Sequence, residues 1–202
     1  LVVFVYVLFV FGCGDGPAPF GEAIVVVDTD TAVPAAANRL RLDFYREDGG
    51  WFASQEVGRP DAADWPVSFS VFNDDESAPR SFYLRLRLYP EGHERDYFGE
   101  RFQDWGGSFA PLPGTGLPRL IIAGVDATPA LEPSPLVTID RLIHLRLVPG
   151  EVGQVNVTLR AACVGTLAML PGSGSSPASC VAVEQQRELV ATAPLTERVA
   201  IA

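Results

Sequence analysis

The chain contains no lysine: all fifteen of its basic residues are arginine. Set against 25 acidic residues, they leave a formal net charge of −10. That balance excludes a nucleic-acid grip, which needs basic patches over phosphates. It also excludes electrostatic adhesion to an anionic lipid surface. Asparagine occurs only at Asn38, Asn73 and Asn156, while Ala, Gly, Pro and Arg abound; this reads as coding in a GC-rich bacterial genome and says nothing of function. No apolar run reaches the roughly 20 residues that a membrane-spanning helix requires. Nor does a long 3.6-residue period appear; the short, uncapped "VAVEQQRELVA" is the one helical candidate. What remains is a chain of 202 residues, 48% apolar and 20% charged. That is enough apolar matter for a core, and too little charge for a disordered acidic polymer.

From residue 23 onward the apolar period is two, the signature of strands with one buried face. "NRLRLDFYRED" sets Leu40, Leu42 and Phe44 against Arg39, Arg41 and Asp43, and Asp48-Gly49-Gly50 then turns the chain into "WFASQEV", predicting a hairpin. "PVSFSVF" and "RSFYLRLRLYP" repeat the alternation, the second with Arg85 and Arg87 facing water opposite Phe82, Leu84, Leu86 and Leu88. "RLIIAGV" reads as a short buried strand. In "LVTIDRLIHLRLV", Arg141 interrupts an apolar set, which predicts a bulge near Asp140-Arg141. "QVNVTLRAACV" places Val155, Val157, Leu159, Ala161 and Cys163 on one inner face. Roughly eight strands with Gly/Pro turns predict an all-β fold: a two-sheet antiparallel sandwich, immunoglobulin-like or transthyretin-like.

The first eleven residues are all apolar and are followed by Gly12-Cys13-Gly14-Asp15-Gly16. The length suits the apolar region of an export signal, roughly 7–15 residues. The chain begins without Met and without a basic flank, so a truncated N-terminus is expected. Val10-Phe11-Gly12-Cys13 resembles the lipobox of bacterial lipoproteins. The resemblance implies cleavage before Cys13, diacylation of its thiol and a membrane anchor. Gly14, in place of an inner-membrane-retaining Asp, implies the outer membrane. The competing reading is a buried first strand over residues 2–10 with Cys13 a chance thiol.

Cys163 and Cys180 remain. In an oxidising compartment they are expected to pair, closing a Gly/Ser-rich loop for a gain of ~3 kcal/mol. A zinc site is the alternative, but neither Cys has a nearby Cys or His partner.

Sites for chemistry are weak. His93 and His144 are the only histidines, and both read as surface residues; Asp140 and His144, four apart on a strand, sit ~13 Å from each other. No G-x-S-x-G elbow is present. "VDTDT", with Asp28 and Asp30, and "NDDES", with Asn73, Asp74, Asp75 and Glu76, offer oxygens to a calcium ion but lack the spacing of a twelve-residue loop, and read first as turn formers. "ERDYFGERFQDWGGSF", with Tyr97, Phe98, Phe102, Trp105 and Phe109, suits a plug at one end of the sandwich or a stacking platform for a glycan or protein. Asn156-Val157-Thr158 fits a glycosylation pattern but falls inside an expected strand and is discounted.

The expected organisation is a signal peptide over residues 1–12, a tether over 13–22, a sandwich over 23–183 and a tail or linker over 184–202. The expected role is non-catalytic: a cell-envelope lipoprotein whose sandwich binds a protein or glycan partner or gives structural support, with no catalytic, metal or cofactor residues. A calcium- or glycan-binding adhesion module and a hydrolase with an unrecognised site are the alternatives. The stretch "VTIDRLIHLRLVPGEVGQVNVTLRAACVG" also resembles recurring exported proteins of GC-rich bacteria, a likeness that supports the fold and implies no activity.

Overall fold

The computed structural model describes residues 21–73, 75, 77–99, 117–172, 174, 176–181 and 187–197. The apolar opening run, the lipobox and most of the tether lie outside them. In chain order the strands are β1 (Glu22–Thr29), β2 (Arg39–Tyr45), β3 (Trp51–Gly58), β4 (Val67–Phe72), β5 (Arg80–Tyr89), β6 (Glu94–Asp96), β7 (Ile121–Ile122), β8 (Val125–Asp126), β9 (Leu131–Pro133), β10 (Ile139–Leu147), β11 (Val152–Leu159), β12 (Ala178–Cys180), β13 (Arg187–Leu189) and β14 (Thr196–Glu197).

The fold is an all-β sandwich. One sheet has the order β14-β11-β1-β4 and the other β10-β5-β2-β3. Their inner faces meet in one core. Ala23, Val25, Val27, Val155, Val157 and Leu159 from the first sheet pack on Leu40, Leu42, Leu84, Leu86, Leu88 and Leu145 from the second. The apolar residues of β2, β4, β5 and β11 face the core as their period predicts. Among the described residues, the strand-to-strand pairings are antiparallel except one: β1 and β11 run parallel, Glu22 beside Val152 through Thr29 beside Leu159. The β2–β3 hairpin forms as expected. Gly49 in its turn has φ +88, and a Cβ there would stand 2.3 Å from the carbonyl oxygen of Pro171. Only glycine lets this turn press so close to the later excursion.

Four expectations about single segments are corrected. No bulge occurs near Arg141: β10 pairs with β5 without a register shift. Arg141 keeps the inward direction but sits at the sheet edge, where its Nη1 donates to the carbonyl of Cys180 at 3.3 Å. An edge position lets a long side chain lay its stem on the core and carry its head outward. "RLIIAGV" is buried only at Leu120: Ile121 and Ile122 pair with Asp126 and Val125 in a small exposed hairpin turned at Ala123 and Gly124, φ 49 and 81. The strand through Cys163 stops at Leu159, because residues 161–163 wind into a short 3-10 turn. In "VAVEQQRELVA", the described residues 187–189 are a strand paired with β12, not a helix.

The largest correction concerns the second sheet's outer face. Its middle does not meet water. Arg41, Asp43, Tyr45, Arg85, Arg87 and Asp140 are all buried there. Residues of the two excursions, 117–138 and 161–180, lie over it, with Leu120, Ala168 and Leu170 joining Tyr45, Trp51 and Leu142 in a second apolar cluster. Alternation alone cannot separate a solvated polar face from one whose charges are paired under a cover.

Candidate functional site

Cys163 and Cys180 are joined, with 5.8 Å between their Cα atoms. Both residues are buried in the core between the sheets. The bridge fixes the start of the second excursion to its end. Cys13 lies outside the described residues.

The buried polar face is the densest array of ionisable groups. Arg85 Nε donates to both Asp140 carboxylate oxygens at 3.0 Å and its Nη2 donates to Oδ2, and the backbone N–H of Ala168 adds a third donor to Asp140 at 3.0 Å. Arg41 Nε reaches Asp43 Oδ1 at 3.2 Å, Arg87 Nη2 reaches its Oδ2 at 2.5 Å, and Arg95 Nη2 lies 2.5 Å from Glu132. Arg41 Nη1 donates to the carbonyl of Leu131 at 3.0 Å, and its guanidinium lies over the Trp51 ring. Burial works against the charge on Arg85, yet Asp140 outweighs it and holds that guanidinium above its ordinary value. Burial lowers Arg87 to about 10; Asp43 opposes that shift, and Arg85 and Arg41 add to it. Strongly shifted groups suggest chemistry, but these face one another and the covering chain. They clamp the excursions onto the sheet.

Burial also works against the charge on Asp43, but Arg87, Arg41 and a hydrogen bond from Ser54 hold its carboxyl below the usual carboxylate range. A carboxyl whose folded value is depressed gives stability that is present above its unfolded value, roughly 4, and lost as pH falls through the folded one. Urea midpoints measured from pH 7 downward are therefore expected to stay level until about pH 4 and then fall. The Asp43→Asn chain has no such carboxyl, so its acid limb is expected to be shallower. An identical limb would remove Asp43 from the acid response.

The remaining sequence candidates are committed to local structure. Asp30 accepts the N–H of Ala161 at 2.6 Å, Asp28 that of Thr29, and Asp75 that of Ser77. Asn73 is buried and donates to the carbonyls of Asp75 and Ala78. Asp74 and Glu76 lie outside the described residues. Among the described residues, no three His, Cys, Asp or Glu side chains gather to hold a metal. Tyr97 stacks on Trp51, with 6.1 Å between ring centroids, and donates to the carbonyl of Pro118, so it packs into the cluster on the outer face of the second sheet. Phe98 is exposed, while Phe102, Trp105 and Phe109 lie outside the described residues.

His93 sits in the exposed turn after β5. His144 is not a free surface residue. It stacks on Tyr83 at 4.5 Å, its Nδ1 lies 2.9 Å from Thr192 Oγ1, and its Nε2 lies 3.3 Å from Glu47. A hydroxyl, an imidazole and a carboxylate are the parts of a nucleophilic triad. Here Nε2 is buried without a hydrogen bond and Glu47 is exposed. Thr192 is also the β-bridge partner of His144. The imidazole therefore fastens the segment carrying Thr192.

That segment, residues 187–197, forms a strap across the open side of the sandwich. β13 pairs with β12, Ala193 donates to the carbonyl of His144 in the second sheet, and β14 pairs with β11 in the first. Beneath it lies a groove of about 480 Å³. Its walls are the edges of β10 and β11 and the strap, with Arg141, Ile143, Asn156, Thr158 and Glu188 among the lining side chains. No family model, curated protein or solved structure matches the chain. The groove must therefore be read from its own atoms. Burial depresses Arg141, with Glu188 acting in the opposite sense. Val155 and Val157 point to the core, while Asn156 and Thr158 are exposed. The groove thus exposes a strand edge whose two sides differ in polarity. Its residues were in view in the sequence, but only as parts of a strand and of a terminal segment without a period. Pro194 was the one local sign that the two part company.

Proposed function

We propose that this chain is a non-catalytic lipoprotein of the bacterial cell envelope, held at the outer membrane through Cys13, whose sandwich serves a binding or structural role. The observation that carries the reading is the buried Cys163–Cys180 bridge. Disulfides persist in compartments outside the reducing cytosol, as expected for a chain led out by an apolar signal ending at a cysteine. The commitment of the carboxylates and of His144 to pairing and capping supports a role without catalysis. Acyl chains on one thiol would anchor the domain, since each buried CH₂ contributes ~0.8 kcal/mol.

The test is metabolic labelling with palmitate in a bacterial host, using the chain behind a complete lipoprotein leader. Label and membrane association are expected for the natural sequence, and both are expected to vanish in Cys13→Ser. Label that survives the substitution, or an unmodified Cys13 still joined to Gly12, would overturn the proposal.

A further inference from the structure

We infer that the outer edge of β11 at residues 155–158 takes an extended segment of a partner polypeptide, running antiparallel to β11 within the groove beneath the strap. The inference deepens the binding reading above and rests on it, while making no use of the anchor.

The edge already accepts a strand of this direction. β14 pairs antiparallel with β11, Glu197 beside Gly153 and Thr196 beside Gln154. Continued in the same register, Leu195 would face Val155 and Pro194 would face Asn156. Proline has no N–H for a ladder, and Ala193 donates instead to His144 in the other sheet. The strap thus leaves the β11 edge at Pro194. Among the described residues, no strand pairs with that edge over residues 155–158. The groove of about 480 Å³ opens at this point, lined by Gln154 to Thr158 on one side and by Val190 to Pro194 on the other.

Chemistry selects the occupant. A strand edge offers backbone donors and acceptors along ~13 Å for four residues, a spacing that another extended backbone matches. A second copy presenting a sheet edge is excluded by the strap, which walls the far side. The two faces set the side-chain pattern. Apolar residues enter beside Ile143, Val155 and Val157, and polar ones lie beside Asn156 and Thr158. The net charge of −10 favours cationic flanks.

The probe is fluorescein-labelled acetyl-Lys-Thr-Val-Thr-Val-Thr-Lys-amide, titrated against the full chain and read by anisotropy. Saturable one-to-one binding is expected. N-methylation of one alternate set of residues, the set facing β11, is expected to weaken binding about tenfold or more, and methylation of the other set far less. Amide hydrogen exchange on the same complex is expected to slow at residues 155–158 and not along β4, the edge at the opposite side of the same sheet. Absence of saturable binding, equal effects of the two methylations, or protection along β4 would each overturn the inference. Failure here with palmitate labelling intact removes the groove as the site and leaves the anchored lipoprotein standing.

Discussion

Asp140→Ala is expected to lower the unfolding free energy by about 3–5 kcal/mol, the loss typical when one partner of a buried ion pair is removed. Asp140 has no solvent exposure and holds Arg85, itself 1% exposed. Without the carboxylate, a guanidinium remains in the interior without its paired counter-charge, and the N–H of Ala168 loses its acceptor. The cost is the residual charge rather than the pair's attraction, so a second variant separates the two. Asp140→Leu combined with Arg85→Met replaces the pair with apolar groups of similar size, a change that is often near neutral. The Ala168 N–H still goes unpaired, at about 1–3 kcal/mol. The double variant is therefore expected to recover part of the loss, not all of it. Urea unfolding of the three chains decides. An Asp140→Ala variant within about 0.5 kcal/mol of the natural chain, the range of ordinary surface changes, would mean that the outer face of the second sheet is open to water after all.

Replacing both bridged cysteines by alanine is expected to cost about 3 kcal/mol, from the loop that a separation of 17 residues closes. For a chain of this size that corresponds to a fall in Tm of about 6–12 °C. The effect is expected to concentrate on the covering excursion. Besides the bridge, that segment is held by Ala168 on Asp140 and by Ser179, whose Oγ accepts the N–H of Leu142 at 2.8 Å. Limited proteolysis is expected to cut first between residues 164 and 177 in the variant. A Tm unchanged by the double substitution would show that these contacts suffice without the cross-link.

The strands with a clear period of two were legible because one face of each is apolar. That rule found β2, β4, β5 and β11 and the turn at Gly49. It misread Arg41, Asp43, Arg85 and Arg87, since a buried salt-bridged face and a wet one share the same residue types. The partners that reveal the difference, such as the carbonyl of Leu131 on Arg41 and the N–H of Ala168 on Asp140, come from the distant excursions. Arg141 was misread for a related reason: an edge arginine keeps the strand regular by reaching out along its stem. The hairpin at 121–126 and the strap at 187–197 hold strands of two and three residues, too short for any period. Cys163 and Cys180 were legible because only two thiols remained beside Cys13. The groove was not, because it is made by the place where Pro194 turns a strand away.

The parallel contact of β1 with β11 joins residues 130 positions apart, Glu22 with Val152. A sheet closed by so distant a pairing has high contact order, and such topologies fold on slow timescales, ms to seconds. The β2–β3 hairpin and its β5 neighbour need only local chain, whereas β1 has one antiparallel neighbour, β4, until β11 arrives. In a chain that emerges from its N-terminus onward, β2, β3 and β5 can pair early, while β10 and the closure of the first sheet wait for residues 139–159.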